Sequence, residues 1–292
     1  MSLHVVSMPG SQRFGDRITR LLGAHTCRLE SRRFPDGEIY LRLLDEVQGQ
    51  YVAVDSQLGD PDPQLPGLLF LADALHELGA RSVGLIAPYL PYMRQDTRFH
   101  PGEAVTSRSF AKLVSAAFEW LVTVDPHLHR FVSLDTIYRI RTAVVPSAPA
   151  IAAWVRAEIA HPHIVGPDEE SVQWVSEVAA LAGCPFSVLR KQRKGDRSVE
   201  LALPNLEALR GRTPIIVDDI ISSGQTIAAA VRGLRAAGLA APVCIGVHAV
   251  FGDDAVATVL AAGADRIVSC NTLPHPSNVI DVTDALAAAV RV

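Results

Sequence analysis

Apolar residues fall along this chain in short, unbroken runs rich in Val, Ile and Leu, separated by longer amphipathic stretches. Such runs predict buried strands at Tyr51–Asp55, Ser82–Ala87, Trp120–Asp125, His163–Val165, Phe186–Arg190, Pro214–Asp218, Val243–Val250 and Arg266–Ser269. Helical spacing predicts helices over Leu68–Leu78, Ser107–Phe118, Ala150–Ile159, Val172–Ala182, Thr226–Ala237 and Ala255–Ala262. Strands without polar alternation are covered on both faces. Their alternation with helices implies an α/β fold with mainly parallel sheets flanked by helices.

The pattern repeats once. Leu75-His-Glu-Leu-Gly79 followed by Val83–Pro88 is echoed by Leu234-Arg-Ala-Ala-Gly238 followed by Val243–His248. Each is a helix stopped by glycine and then a buried strand. Two related halves account for the echo, and so does the ordinary likeness of α/β units. The Pro146-Ser-Ala-Pro149 stretch marks the expected boundary, which divides the chain into domains 1–146 and 147–292.

Size and charge narrow the function classes. A chain of 292 residues suffices for two domains with separate cores. A net charge of -4 leaves no basic footprint for nucleic acid. It does not exclude a phosphorylated ligand, because backbone N–H groups can build a local phosphate site. The first residues do not read as a secretory signal, and no apolar stretch is long enough to predict a membrane span. Cys27, Cys184, Cys244 and Cys270 are scattered and form no C-x-x-C pair, so a reducing cytoplasm is expected.

The familiar nucleotide motifs are missing. The sequence contains neither G-x-x-x-x-G-K-[ST] nor G-x-G-x-x-G. The informative segment is Pro214-Ile-Ile-Val-Asp-Asp-Ile-Ile-Ser-Ser-Gly-Gln-Thr226. It reads as a buried strand ending in two carboxylates, then a small polar loop, then a helix. Ligands of open α/β sheets sit at such strand ends. The helix start offers free N–H groups and the positive end of its dipole, which suits a phosphate. Asp218 and Asp219 suit sugar hydroxyls or a magnesium ion. Together these features describe a sugar-phosphate site, although Ser and Asp also serve as ordinary helix caps.

This segment resembles the phosphoribosyl-diphosphate motif of the type I phosphoribosyltransferase fold. Further motifs, in order from about residue 34 to 275, resemble the ribose-phosphate pyrophosphokinase family. They are Phe34-Pro-Asp-Gly-Glu38, Pro91-Tyr-Met-Arg-Gln-Asp96, Asp125-Pro-His127, Gly166-Pro-Asp168, Lys191-Gln-Arg193 and Asn271-Thr-Leu-Pro-His275. The resemblance implies two type I phosphoribosyltransferase-like domains. It also implies transfer of the diphosphate of MgATP to C1 of ribose 5-phosphate, which yields phosphoribosyl diphosphate and AMP.

The resemblance assigns roles residue by residue. Phe34, Asp36, Gly37 and Glu38 would hold the ATP base, reaching in from a neighbouring subunit of a homo-oligomer, a dimer or a dimer-based hexamer. Read locally, Phe34 also suits a core position and Asp36-Gly37 a hairpin turn. Arg94, Gln95 and Asp96 would contact ATP, with Arg98 standing in for an arginine replaced by Thr97. His127 and Asp168 would serve magnesium, although each also suits a structural role. Lys191 and Arg193 would be catalytic, closing over the β-phosphate from a flexible loop. Asp218, Asp219, Ser222, Ser223, Gly224, Gln225 and Thr226 would bind ribose 5-phosphate.

Two departures from the family pattern matter. Glu169-Glu170-Ser171 replaces glycines after Asp168. Gln225 replaces a glycine in the phosphate loop, where a side chain would crowd the ligand if the backbone needs positive φ. Two other functions share part of the pattern. A phosphoribosyltransferase that consumes phosphoribosyl diphosphate needs 214–226 but not the ATP motifs. A regulatory subunit keeps the fold without the activity.

Overall fold

The computed structural model describes residues 2–194, 198–202 and 206–291, with the side chains of Glu170 and residues 190–206 outside the description. The chain divides into two units, Met1–Val145 with Val282–Val292, and Pro146–Asp281.

The first unit contains β1 (Leu3–Ser7), α1 (Gln12–Leu22), β2 (His25–Thr26), β3 (Leu29–Arg33), β4 (Ile39–Leu43) and β5 (Tyr51–Asp55). There follow α2 (Pro61–Glu77), β6 (Ser82–Ala87), α3 (Thr106–Ala117), β7 (Trp120–Val124) and β8 (Arg141–Val145). Its sheet runs β2-β1-β5-β6-β7-β8, and every pairing is parallel. Val52, Val54, Leu85 and Leu121 of the central strands join Leu68, Leu71 and Leu75 of α2 in one buried core. Strands β3 and β4 stand apart as an antiparallel ribbon.

The second unit contains α4 (Ala148–Glu158), β9 (Pro162–Gly166), α5 (Val172–Ala182), β10 (Phe186–Val188), β11 (Arg190–Lys194) and β12 (Ser198–Ala202). It continues through α6 (Leu206–Leu209), β13 (Thr213–Ile220), α7 (Gln225–Ala236), β14 (Val243–His248), α8 (Ala255–Ala261), β15 (Arg266–Cys270) and β16 (Asn278–Ile280). The parallel sheet runs β10-β9-β13-β14-β15-β16. Its core joins Val165 and Ile216 to Ile227, Val231 and Leu234 of α7.

The two sheets share one connection pattern. In each, the first strand pairs the second at one edge, an antiparallel ribbon follows, and the remaining strands then add in sequence order. The echo noted in the sequence falls on matching elements, since α2–β6 and α7–β14 hold the same place in the two units.

The structure departs from the expected elements at four points. The last helix, α9 (Thr283–Ala289), belongs to the first unit rather than to a domain ending at 292. Its buried Thr283 and Leu286 pack with α1, β7 and β8, and Arg17 meets Asp284 at 3.5 Å. A short alanine-rich helix carries no local mark of the sheet it will join. The expected strand Phe186–Arg190 breaks at Leu189, and β11 begins a separate ribbon with β12. The chain from Arg190 to Lys194, read as a flexible loop, is therefore strand. Helix α2 starts at Pro61, seven residues before the expected Leu68. Pro61 and Pro63 fall in the first turn, which has no intrahelical N–H bonds for proline to break, whereas Pro66 lies inside the helix and leaves the Asp62 carbonyl without its usual donor.

Candidate active site

In the second unit, β9 and β13 lie side by side and parallel, with Val165 opposite Ile216. Their C-terminal ends therefore carry Asp168 and the Asp218–Asp219 pair together. Asp168 is fixed by the turn it opens, where its Oδ1 accepts from the Ser171 amide at 3.2 Å and its carbonyl from the Ser171 hydroxyl at 2.6 Å. The carboxylates of β13 accept from the backbone beside them: Asp218 Oδ1 from the Asp219 amide at 3.1 Å, and Asp219 Oδ1 from the Ile220 amide at 2.7 Å.

Burial pushes the Asp218 carboxyl up to about 8, and the charges of Asp219 and Asp168 add to the shift. Three acids thus crowd one strand end. The free energy this group contributes to folding is complete below pH about 4 and is lost as pH rises through about 8. Asp218→Asn, which cannot ionise, is expected to raise Tm by roughly 3–6 °C at pH 9 and by only about a third of that at pH 5. Thermal scans of both proteins at the two pH values check this. An equal shift at both would show that charge is not the cause.

The loop after β13 turns at Gly224, where φ is 72°. A Cβ there would lie 2.8 Å from the Ala255 carbonyl oxygen and 3.0 Å from Val259 Cγ2 of α8. Both the left-handed backbone and the close approach require glycine. Gly224 is the N-cap of α7 and has no side chain to occupy the first-turn amides. Ser223, Gln225 and Thr226 around that turn are exposed, and Ser222 is half-buried with its carbonyl accepting from the Gly252 amide at 3.0 Å. Amides, hydroxyls and the helix dipole together suit an anion. Gln225 is a helical residue and is absent from the positive-φ positions, so the expected crowding does not arise. The backbone strain falls one residue earlier, on Gly224.

Beyond β13, the end of β14 is tied to the segment that starts at Asn271. Thr272 Oγ1 donates to the Val247 carbonyl at 2.9 Å and lies 2.9 Å from His248 Nδ1. His248 was not among the expected site residues. Only the pairing of Ile220 with His248 brings it to the same strand end.

The first unit has a counterpart that is closed. Val52 pairs with Val83 as Ile215 pairs with Val243, so Asp55 holds the place of Asp218 three residues on. Asp55 is fully buried, and neither carboxyl oxygen has a well-formed hydrogen bond among the described residues. Burial pushes its carboxyl well above the usual range, and the neighbouring Ser7 hydroxyl offsets only part of that. A Cβ on Gly15 of α1 would sit 1.8 Å from Ser7 Oγ and 2.7 Å from Asp55 Oδ2. Helix α1 therefore packs directly against Ser7 and Asp55.

The expected ATP residues of the first unit separate into four groups. Arg94 is exposed and Gln95 half-buried, between the inward-facing Met93 and Asp96. Ser107 at the start of α3 holds Gln95 through the Gln95 carbonyl, at 3.1 Å from its hydroxyl. Asp96 corrects the expectation. Its side chain is 1% exposed and its Oδ1 lies 2.9 Å from Arg130 Nη1, so it is not presented to a ligand. Arg98 is exposed, and its Nε donates to the Glu103 carbonyl at 2.8 Å. His127 follows Asp125, whose φ of 29° ends β7 sharply, and its ring stacks on His129 with centroids 5.9 Å apart. The stacking partner carried no signal in the sequence.

Phe34, Asp36, Gly37 and Glu38 form the exposed tip of the β3–β4 ribbon. The Phe34 amide donates to the Glu38 carbonyl at 2.8 Å, and Gly37 supplies the left-handed turn at φ 93°. Phe34 is 39% exposed, so core packing is not its role. Arg32 lies over its ring at 4.6 Å and over Tyr40 at 4.2 Å. The backbones of Lys191 and Arg193 occupy β11 opposite Leu201 and Val199, and their side chains lie outside the described part of the structure.

Among the described residues, no group of three or more His, Cys, Asp or Glu could hold a metal ion unaided. No helix among them is long and apolar enough to cross a membrane.

The family model "N-terminal domain of ribose phosphate pyrophosphokinase" matches residues 3–117, and "Phosphoribosyl transferase domain" matches 135–285. A ribose-phosphate pyrophosphokinase of Methanothermobacter thermautotrophicus is 32% identical over 98% of this chain and 99% of its own length. One from Methanopyrus kandleri is 34% identical over 96% of this chain and 95% of its own length. The crystal structure of phosphoribosylpyrophosphate synthetase from Mycobacterium smegmatis superposes with a TM-score of 0.84 at 25% identity, covering 99% of this chain and 97% of that one. Similarity of this extent, across both units and nearly the full length of each relative, places the chain in the ribose-phosphate pyrophosphokinase family.

Proposed function

We propose that the chain transfers the β,γ-diphosphate of MgATP to the C1 hydroxyl of D-ribose 5-phosphate, giving phosphoribosyl diphosphate and AMP. The observation that carries this reading is the Gly224 turn, where a helix start without a side-chain cap follows directly on the Asp218–Asp219 carboxylates. In the reaction the C1 oxygen forms a bond to the β-phosphorus. The bond from that phosphorus to the oxygen bridging to the α-phosphate breaks, AMP leaves, and the hydroxyl proton passes to water.

The residues divide the work. The amides of Gln225, Thr226 and Ile227, with the hydroxyls of Ser222, Ser223 and Thr226, receive the 5-phosphate. Asp218 and Asp219 accept from the ribose hydroxyls and orient C1. Arg94, Gln95 and Arg98 engage ATP, and the exposed Phe34 offers its ring to the adenine. Lys191 and Arg193 stabilise the transferring group. Lysine gives a compact charge and arginine a bidentate fork.

Magnesium fits as an ion that arrives on ATP. It takes one or two carboxylates together with substrate phosphates rather than an all-protein cage. A cation would relieve the mutual repulsion of the Asp168, Asp218 and Asp219 carboxyls, and Asp168 or His127 would complete its shell. When bound, the ion neutralises polyphosphate charge.

We also propose a homo-oligomer, because an aromatic at the tip of an exposed ribbon suits a neighbouring subunit's nucleotide. Free Cys27, Cys244 and Cys270, all buried, agree with a reducing compartment.

The test is to incubate purified protein with MgATP and ribose 5-phosphate and to resolve the products. AMP and phosphoribosyl diphosphate in equal amounts are expected, from a species heavier than one chain in sedimentation. ATP left intact while added phosphoribosyl diphosphate is consumed would favour a phosphoribosyltransferase. Assembly without AMP would favour a regulatory subunit.

A further inference from the structure

We propose that Arg130 is a positioning residue for ATP, acting through the buried Asp96. The inference rests on the assignment of Arg94 and Gln95 to ATP. The loop that carries them leaves β6 at Ala87 and re-enters helix at Thr106. Ser107 holds the Gln95 carbonyl, Thr106 Oγ1 donates to the Tyr92 carbonyl at 3.3 Å, Arg98 Nε donates to the Glu103 carbonyl, and Glu103 Oε2 accepts from the amides of Phe99 and His100 at 2.7 and 3.1 Å. These contacts hold backbone or lie beyond Asp96, and none of them engages the side chain of Arg94 or Gln95. That direction depends on the inward residues flanking them, Met93 and Asp96, which are 1% and 4% exposed.

Met93 is anchored by apolar packing in the core of the first unit. Asp96 is a carboxylate out of water and needs a partner. Arg130 Nη1 supplies it at 2.9 Å, while Asp96 Oδ2 is buried without a hydrogen-bond partner among the described residues. Among the ion pairs described, Arg130 is the partner that balances this charge. The same guanidinium lies 5.2 Å from the Phe99 ring centre. One side chain thus grips the loop at positions 96 and 99. It is rooted three residues beyond His127, in the loop after β7. The nucleotide loop and the histidine loop are therefore held together through Arg130. A charge pair with one member buried has a narrow set of good geometries, so the arrangement of Arg94 and Gln95 follows from it.

Steady-state kinetics of the full chain test this. Arg130→Met is expected to raise KM for MgATP roughly tenfold, with kcat and KM for ribose 5-phosphate within about twofold of wild type. Arg130→Lys keeps the charge without the planar fork, and about threefold is expected. If the methionine variant fails to fold, the lysine variant gives the reading. A purely structural role is separated by Asp96→Asn combined with Arg130→Met. That double variant removes the lone buried charge and should recover Tm while KM for MgATP stays high. An unchanged KM for MgATP, or a rise in both KM values that follows the loss of Tm, overturns the inference. Arg94→Ala serves as the control. If it too leaves KM for MgATP unchanged, the ATP assignment has failed and this inference falls with it. If it raises that KM while both Arg130 variants do not, only the inference about Arg130 fails.

Discussion

Lys191→Ala is expected to lower kcat for AMP formation by about a thousandfold, with the KM of each substrate within a few-fold of wild type. Diphosphate transfer asks little covalent chemistry of a protein. The barrier is dominated by charge accumulating on the transferring group and by its alignment with the attacking oxygen. A cation that meets this charge only as the bond to the β-phosphorus forms acts on turnover rather than on binding. Lys191 and Arg193 stand two apart in β11, a ribbon inserted between β10 and β13. Lys191→Arg should recover part of the rate, because charge is kept while the compact ammonium is lost. Steady-state AMP production by the three proteins measures this. Near-normal turnover in the alanine variant would remove Lys191 from the mechanism.

Gly224→Ala should be the most damaging single methyl group in the sugar-phosphate loop. A left-handed backbone costs a non-glycine residue about 1–2 kcal/mol, and overpacking adds roughly 1–3 kcal/mol. The new Cβ meets a backbone carbonyl of α8 at 2.8 Å, which cannot rotate aside as a side-chain tip could. A fall in Tm of roughly 6–12 °C follows, with at least a tenfold loss in affinity for ribose 5-phosphate. Gln225→Gly makes the contrast. That residue is exposed and helical, so affinity should stay within about twofold. Thermal scans and titration calorimetry on both variants decide the matter. Equal effects from the two substitutions would mean that the cradle is not built around Gly224.

The relation of these two positions shows where a linear reading stops. A glycine shared by relatives and replaced by Gln225 suggested crowding, yet the positive φ lies at the neighbouring residue. Asp96 shows the same limit. It sits in the sequence beside Arg94 and Gln95, but alternate residues of a loop can face opposite ways. Only the approach of Arg130, 34 positions along the chain, reveals which way it faces. His248 and His129 had no local signal, because their significance lies in a strand pairing and a ring contact. By contrast, Tyr51–Asp55, Ser82–Ala87 and Val172–Ala182 were read to the residue. Burial on both faces writes itself into an uninterrupted apolar run, and helical burial into a stripe.

By itself, the order of residues determined the alternation of buried strands and helices, the parallel character of the sheets, and the strand–loop–helix from Pro214 to Thr226. Each follows from periodicity and backbone preference over a dozen residues or fewer. Tertiary structure decided which acids crowd one another at Asp168 and Asp218, that Asp55 is sealed where Asp218 is only partly buried, and that α9 returns to the first unit. Those outcomes depend on desolvation and on charges brought together from distant parts of the chain. Neither quantity exists until the strands are side by side.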